Sequence, residues 1–363
     1  MRELRDILDA YERLSEGGEA GVLASVVHVE GSTYRRTGAR MLVLPDETLV
    51  GLISGGCLEG DLLEHARRVR ATGAPELVKY DHRGEDDIVW GLGLGCAGAV
   101  DVWLERVDRA QPGPLAWLAA WSRARESGAL ATALSGPRAG ERRALGAQSG
   151  LAGTLAHPAV DRALRECLAS GDGRHFAVPA LGGDVLIEVA RAPLRLALFG
   201  AGPDAIPLAR IARELGWDVV VMDHRAAYAV AERFAGADVR LAEVPRAVER
   251  AGVDARTHAV VMTHHYLHDR VILAALLATP APYIAVLGPK QRTQDLLADL
   301  EKEGVEVGDE ERARVFGPAG LDIGADAPEE IALAICGEVL AFASRRPGGA
   351  LRERKGPIHE PAV

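Results

Sequence analysis

Apolar residues recur at helical spacing from the first turn of the chain. Leu4, Ile7, Leu8, Tyr11 and Leu14 share one stripe among Arg2, Glu3, Arg5, Asp6 and Asp9, which predicts an amphipathic helix and no signal peptide. The spacing then tightens. Val22–Val29 is a β-branched run, and Arg40–Leu44 and Thr48–Ile53 read as a hairpin around Pro45-Asp46. Leu62, Leu63, Ala66 and Val69 give a helix over Leu58–Arg70, and Glu76–Tyr80 and Ala99–Arg106 read as further strands. Gln111-Pro112-Gly113-Pro114 punctuates the chain.

The stretch 115–192 echoes the first 110 residues in order. Ala129–Leu134 matches the Val22 strand, Arg142–Ala147 echoes Arg35–Ala39, and Leu151–Thr154 matches Val50–Ile53. A helix over Arg162–Ser170 and a strand over Asp184–Val189 close it. The second copy has Ala156-His157-Pro158 where the first has Gly55-Gly56-Cys57, so a degenerate repeat is expected in which only the first copy keeps a site.

From Arg195 the pattern changes again. A short apolar strand, Leu196–Phe199, meets Gly200-Ala201-Gly202-Pro203-Asp204-Ala205, then a helix over Ile206–Leu215 and a strand over Asp218–Met222 that ends at Asp223. That order and spacing match the dinucleotide-binding arrangement. Strands at Val239–Leu241, Ala259–Met262 and Tyr283–Leu287 continue it, with helices over Asp269–Ala278 and Pro328–Ala343. The expected fold is α/β: an N-terminal α+β domain with an internal repeat (1–192, halves 1–110 and 115–192), a C-terminal Rossmann-like parallel-sheet domain (193–345), and a flexible tail (346–363).

Composition narrows the function. The 363 residues carry a net charge of −10 with no long basic run, which argues against nucleic-acid binding. No apolar run reaches the roughly 20 residues of a membrane span. Four cysteines without a C-x-x-C pair suit a reduced, cytoplasmic protein. Cys167 and Cys336 fall on helices and read as packing residues.

Cys57 and Cys96 differ from them. Both are wrapped in glycine, in Ser54-Gly55-Gly56-Cys57-Leu58-Glu59-Gly60 and Gly91-Leu92-Gly93-Leu94-Gly95-Cys96-Ala97-Gly98, where a ligand can approach the backbone closely. Cys57 would sit at a helix N-terminus, which favours thiolate and binds anions. Arg35, Arg36, Gly38 and Arg40 form a basic loop that suits an anionic ligand or, read plainly, an exposed hairpin approach. In the third region, Gly200 and Gly202 would admit a pyrophosphate, and Asp223 would accept from a ribose hydroxyl. Arg225 would suit a 2′-phosphate, and Pro203 removes an N–H from the turn. His264 and His268 read either as a metal pair at i, i+4 or as ligand-facing residues on a loop before a helix starting at Asp269. Lys290 and Arg292 follow the next strand, where they would hold a phosphate or cover a solvated helix start.

Taken in order, Glu30–Ser32 to Gly38–Met41, Ser54–Glu59, Gly95–Gly98, Phe199–Gly202, Met222–Arg225, Met262–His264 and Gly320–Ala325 resemble the XdhC/CoxI family over nearly the whole chain. The resemblance implies an accessory factor, more a maturation chaperone than a catalyst. Such a factor binds molybdenum cofactor, supports its sulfuration by a cysteine desulfurase and inserts it into a molybdenum hydroxylase such as xanthine dehydrogenase. It implies cofactor or sulfur handling at Cys57 and Cys96, either of which would contact the cofactor's molybdenum. The cofactor would be held by Arg36, Gly38, Arg40, Ser54, Gly55, Gly56 and Gly95, with NAD(P) as a further ligand near Gly200, Gly202, Asp223, Arg225, His264 and Lys290. A homodimer is the default for such folds. Two departures stand out: Ala97 where many relatives have glycine, and Pro203 where many have histidine. The rival readings are an NAD(P)-dependent oxidoreductase and a docking chaperone with structural cysteines. Four cysteines without iron–sulfur spacing argue against the multi-cofactor hydroxylase itself.

Overall fold

Three sheets organise the chain, two antiparallel and one parallel. The computed structural model describes residues 2–17, 19–31, 35–81 and 98–355. They form two compact units, Glu3–Ala192 and Pro193–His359.

The first unit opens with α1 (Arg2–Gly17), whose Ile7, Leu8, Tyr11 and Leu14 are buried as the stripe requires. Then come β1 (Gly21–Gly31), β2 (Arg40–Val43), β3 (Leu49–Gly51), α2 (Glu59–Thr72), β4 (Glu76–Asp81) and β5 (Gly98–Val107). The same series follows once more: α3 (Leu115–Ala124), β6 (Gly128–Ala133), β7 (Arg142–Gly146), β8 (Gly150–Gly153), α4 (Pro158–Ser170), β9 (Arg174–Val178) and β10 (Gly183–Ala190). The sheets have matching orders, β3-β2-β1-β5-β4 and β8-β7-β6-β10-β9. α3 and β9 were not read from the sequence; both are needed to complete the second copy.

The hydrogen bonds fix how the copies correspond. Gly38 N–H donates to Val26 O, and Gly140 N–H donates to Ala133 O, both at 2.9 Å or less. A Cβ on Gly51 would lie 2.4 Å from Arg40 O, and one on Gly153 would lie 2.4 Å from Arg142 O. Arg142 therefore takes the place of Arg40, which corrects its expected match to Arg35. The register also shows what the first copy has extra. Gly51 and Gly153 are equivalent, and Gly73 and Gly171 are the left-handed C-caps of α2 and α4. The first interval is 22 residues and the second 18; the Cys57 loop accounts for three of the four additional residues and the longer α2 for the other.

The same correspondence runs through the core. Val27, Trp103, Leu134 and Leu186 form one buried cluster, two residues from each copy at matching strand positions. Around it lie two reciprocal ion pairs: Arg40 with Glu188 at 2.9 Å, and Arg142 with Glu105 at 2.5 Å. Helix α2 packs Leu62, Ala66 and Val69 on the first sheet, and α4 packs Val160, Leu164 and Cys167 on the second.

The second unit is a six-stranded parallel sheet in the order β13-β12-β11-β14-β15-β16. Its elements run β11 (Arg195–Phe199), α5 (Ala205–Glu214), β12 (Asp218–Asp223), β13 (Asp238–Leu241), α6 (Ala247–Ala251), β14 (Thr257–Val261), α7 (Tyr266–Leu277), β15 (Tyr283–Val286), α8 (Lys290–Lys302), α9 (Asp309–Ala313), β16 (Val315–Phe316) and α10 (Pro328–Ala343). Two apolar clusters cover its faces, as a sheet buried on both sides requires. Helix α7 begins three residues before the expected Asp269, because His265 caps it by accepting from His268 N–H. Cys167 and Cys336 are buried packing residues, and burial pushes the Cys336 thiol up to about 12. The expected tail begins with an ordered turn at Leu351–Glu353; residues 356–363 lie outside the described residues.

Candidate functional site

One end of the first sheet gathers the sequence-predicted residues of the first unit. β2 starts at Arg40 and β3 ends at Gly51, and the pairing Met41↔Gly51 places these ends together. β4 ends at Asp81 opposite Ala99, and β1 ends at Gly31 opposite Gly98. The basic loop and the Cys57 loop therefore leave the same edge. The end of β4 and the start of β5 lie at that edge as well; Gly95 and Cys96, which come between them in sequence, lie outside the described residues.

Ser54 and Glu59 build the Cys57 loop. Ser54 Oγ accepts from the N–H groups of Gly56, Cys57 and Leu58 at 3.1–3.2 Å and donates to Glu59 Oε2 at 2.5 Å. Glu59 in turn accepts from Ser54 N–H at 2.9 Å and Leu58 N–H at 3.1 Å. Burial pushes the Glu59 carboxyl up, but these bonds outweigh it and hold it below the ordinary glutamate value. Cys57's own N–H is therefore occupied by Ser54. What the loop presents outward is the side chain. Cys57 is exposed, one residue before the N-cap of α2. Gly56 needs glycine for its φ of 107°. Gly55 does not, and among the described residues nothing lies within 4 Å of a Cβ placed on Gly55 or Gly60.

The arginines are less available than their spacing suggests. Arg35 pairs with Glu3, whose other oxygen accepts from Leu52 N–H. Arg40 points inward: it bonds Gly38 O and Glu188, and its side chain is 10% exposed. It therefore joins the two copies of the repeat. Gly38, at φ 92°, shapes the turn before it. Arg36 is exposed.

The second cluster lies at the C-terminal edge of the parallel sheet. The strand order reverses between β11 and β14, the crevice where such sheets take ligands. Gly200 is required because a Cβ would lie 2.4 Å from Met262 O. Gly202 makes room for Asp204, whose Oδ1 would lie 2.5 Å from a Cβ there. Asp204 Oδ2 meets His264 Nε2 at 2.7 Å across the crevice, with His264 held at φ 60°. Asp223 accepts from Ala201 N–H, from Arg225 N–H and from two nitrogens of the Arg225 guanidinium, all within 2.9 Å. Burial raises its carboxyl, but Arg225 and the N–H bonds win and lower it to about 2. Arg225 also lies 3.8 Å above the Tyr228 ring. Asp223 and Arg225 thus hold each other, where the sequence suggested a ribose acceptor and a phosphate-binding cation. The space beside them is lined by Gly200, Asp223, His224, Ala242, Thr263 and Ile272 among others.

His264 and His268 share no helix, since α7 starts between them, and the described residues contain no group of three or more His, Cys, Asp or Glu able to hold a metal. Arg292 is committed to Asp269 at 2.7 Å, while Lys290 opens α8 on the exposed side. Reading the sequence missed Asp204, Glu59, Glu105 and Glu188. The serine–glutamate spacing around Cys57 signals Glu59, and aligning the repeat in register would have paired Glu105 with Glu188.

Comparison with known proteins places these features. Residues 196–339 match the XdhC Rossmann domain, and residues 14–81 match the XdhC and CoxI family. A Bacillus subtilis protein named as a probable xanthine dehydrogenase subunit is 32% identical over 349 residues, 95% of this chain and 99% of that one. An Escherichia coli protein named molybdenum cofactor insertion chaperone PaoD is 30% identical over 95 residues, 26% of this chain and 29% of that one. A crystal structure from Bacillus halodurans, described as a xanthine dehydrogenase, superposes with a TM-score of 0.77 at 33% identity, covering 95% of this chain and 98% of that one.

Proposed function

The chain belongs to the XdhC and CoxI family, and from that premise we propose that it is an accessory factor for a molybdenum hydroxylase such as xanthine dehydrogenase. Its cargo is the molybdenum cofactor, which it binds while the metal's terminal sulfur is installed by a cysteine desulfurase, and which it then passes to the apo-hydroxylase. The name of the E. coli relative supports the cargo, and the names of the Bacillus relatives support the client. The factor works in the cytoplasm as a homodimer. Among the described residues no helix is long and apolar enough to cross a membrane.

One observation carries the reading at the level of residues: Cys57 stands exposed on a loop whose polar fixtures, Ser54 and Glu59, all face inward. A soft thiol beside two glycines, with no neighbour among the described residues within 4 Å of a Cβ on either, suits a cargo with a molybdenum centre and a dithiolene. Cys57 is the donor nearest to that chemistry, Gly55 and Gly56 let the cargo approach the backbone, and Arg36 supplies charge for its phosphate. The family resemblance adds Cys96 and Gly95 to the residues that handle the cargo.

The test is anaerobic retention of molybdopterin cofactor by the wild type, Cys57→Ser and Cys96→Ser, with NAD(P)H titrated in parallel. Stoichiometric retention that falls in either variant is the expected result. Because Cys57 is exposed, its replacement should change stability by no more than about 0.5 kcal/mol, so lost retention reports on the site. Tight NAD(P)H binding with no cofactor retention would overturn the proposal in favour of an oxidoreductase. The mutual engagement of Asp223 and Arg225 weighs against that alternative.

A further inference from the structure

The glycine turn after β11 is poorly suited to the phosphate it was expected to hold. Ala201 N–H is taken by Asp223, Pro203 has no N–H, and the Asp204 carboxylate stands at the start of α5. A negative charge there repels an anion where a nucleotide-binding turn would attract one.

The neighbouring loop has the opposite character. His265 caps α7, and His268, three residues on, stacks against it with ring centroids 4.0 Å apart and planes 28° apart. His224, after β12, meets His268 edge-on at 4.7 Å. The carboxylates at this edge already have cations within the fold: Asp204 has His264, Asp223 has Arg225, and Asp269 has Arg292. Three imidazoles gather at a helix N-terminus, His224 with its Nδ1 3.5 Å from Asp223 Oδ1 and His265 with its Nδ1 on the cap, and Lys290 opens the next helix. His268 Nδ1 is buried without a hydrogen-bond partner. Near-parallel stacked rings do not converge their nitrogens on one point, so the arrangement suits an anion that accepts from several N–H groups and not a metal ion.

We propose that His224, His265 and His268, at the N-terminus of α7, form a binding site for a phosphomonoester, distinct from the glycine turn. The anion binds with uptake of a proton by the cluster. His268 is set to respond: burial lowers its pKa first, then the neighbouring His265 and His224, with Arg225 adding to this and Asp269 opposing it. A dianion beside the rings reverses the balance and favours the imidazolium. This inference does not rest on the cysteine loop or on the cofactor reading.

The test is calorimetric titration of the full chain with sulfate, whose charge is constant over the range, and with glycerol 3-phosphate and ADP. Sulfate should bind about five- to tenfold more tightly at pH 6.5 than at pH 7.5, the limit for one proton taken up. Binding of glycerol 3-phosphate should fall at least about tenfold in His268→Gln and in His224→Gln, the loss of a charge-assisted bond. The two variants lie on different elements, and thermal melting identifies a fold failure in either. ADP should bind no more tightly than glycerol 3-phosphate. The proposal is overturned by absence of binding, by affinity unchanged in the folded variants, by pH-independent sulfate binding, or by ADP binding that is far tighter and lost on Gly200→Ala.

Discussion

Gly55 and Gly56 look alike in the sequence and do different work. Gly56 holds φ 107°, which a side chain resists, so Gly56→Ala should cost about 1–2 kcal/mol in chemical denaturation. Gly55 has neither a strained φ nor a neighbour for an added Cβ among the described residues, so Gly55→Ala should be neutral to within about 0.5 kcal/mol. Its glycine then answers to a ligand, and Gly55→Ala should weaken molybdopterin retention without moving the melting temperature. Equal retention in Gly55→Ala and wild type would remove the backbone from the site. Residue identity foretold that these glycines matter, but the dihedral angle distinguishes them. The arginines teach the same lesson: Arg36 and Arg40 lie four apart in one basic loop, yet one is exposed and the other faces Glu188, 148 positions away. Long-range pairing leaves no local mark in a sequence.

Elements were more legible than residues. The β-branched and amphipathic runs gave nearly every strand of the parallel sheet and α1, α2 and α10 to within a few residues, because burial on one or both faces writes a period into the chain. α3 escaped because Leu115-Ala116-Trp117-Leu118-Ala119-Ala120-Trp121 is apolar without clear period. The Cys57 loop behaves as an extension of α2, pinned by one hydroxyl and one carboxylate. Ser54→Ala should release three N–H groups and destabilise the first unit by about 1–2 kcal/mol, as loss of a helix cap does. Glu59 gives the pH signature. Its folded carboxyl lies below the ordinary value of 4.5, so its contribution is complete above that pH and is lost as the pH falls through the lower folded value. Acid melts should therefore show Glu59→Gln converging on wild type below pH 4.5, and a difference that persists unchanged into acid would refute the assignment.

At the scale of the molecule, the repeat was visible as an echo and its register was not. Loose alignment matched Arg142 to Arg35, whereas the strand pairing matches it to Arg40 and exposes the crossed ion pairs. Removing one partner of such a buried pair leaves the other charge stranded, so Arg142→Met should cost about 3–5 kcal/mol at neutral pH. Burial already raises the Glu105 carboxyl against the pull of Arg142 and Arg40. With Arg142 gone, the folded state takes up a proton at a pH where the unfolded chain holds none, so the deficit should shrink as the medium is acidified toward that raised value. The double variant Arg142→Met/Glu105→Leu should recover most of the loss, which urea titrations at two pH values would measure.

The longer cysteine loop that distinguishes the first copy from the second has a practical consequence. Evolution has left an internal reference inside a single polypeptide: a twin of the scaffold, synthesised in equal amount and kept under identical solvent, that lacks the cysteine. Deuterium uptake can exploit it. On addition of cargo, peptides over the start of α2 should slow while their counterparts over the start of α4 stay unchanged, so the unresponsive twin calibrates the responsive one within each spectrum.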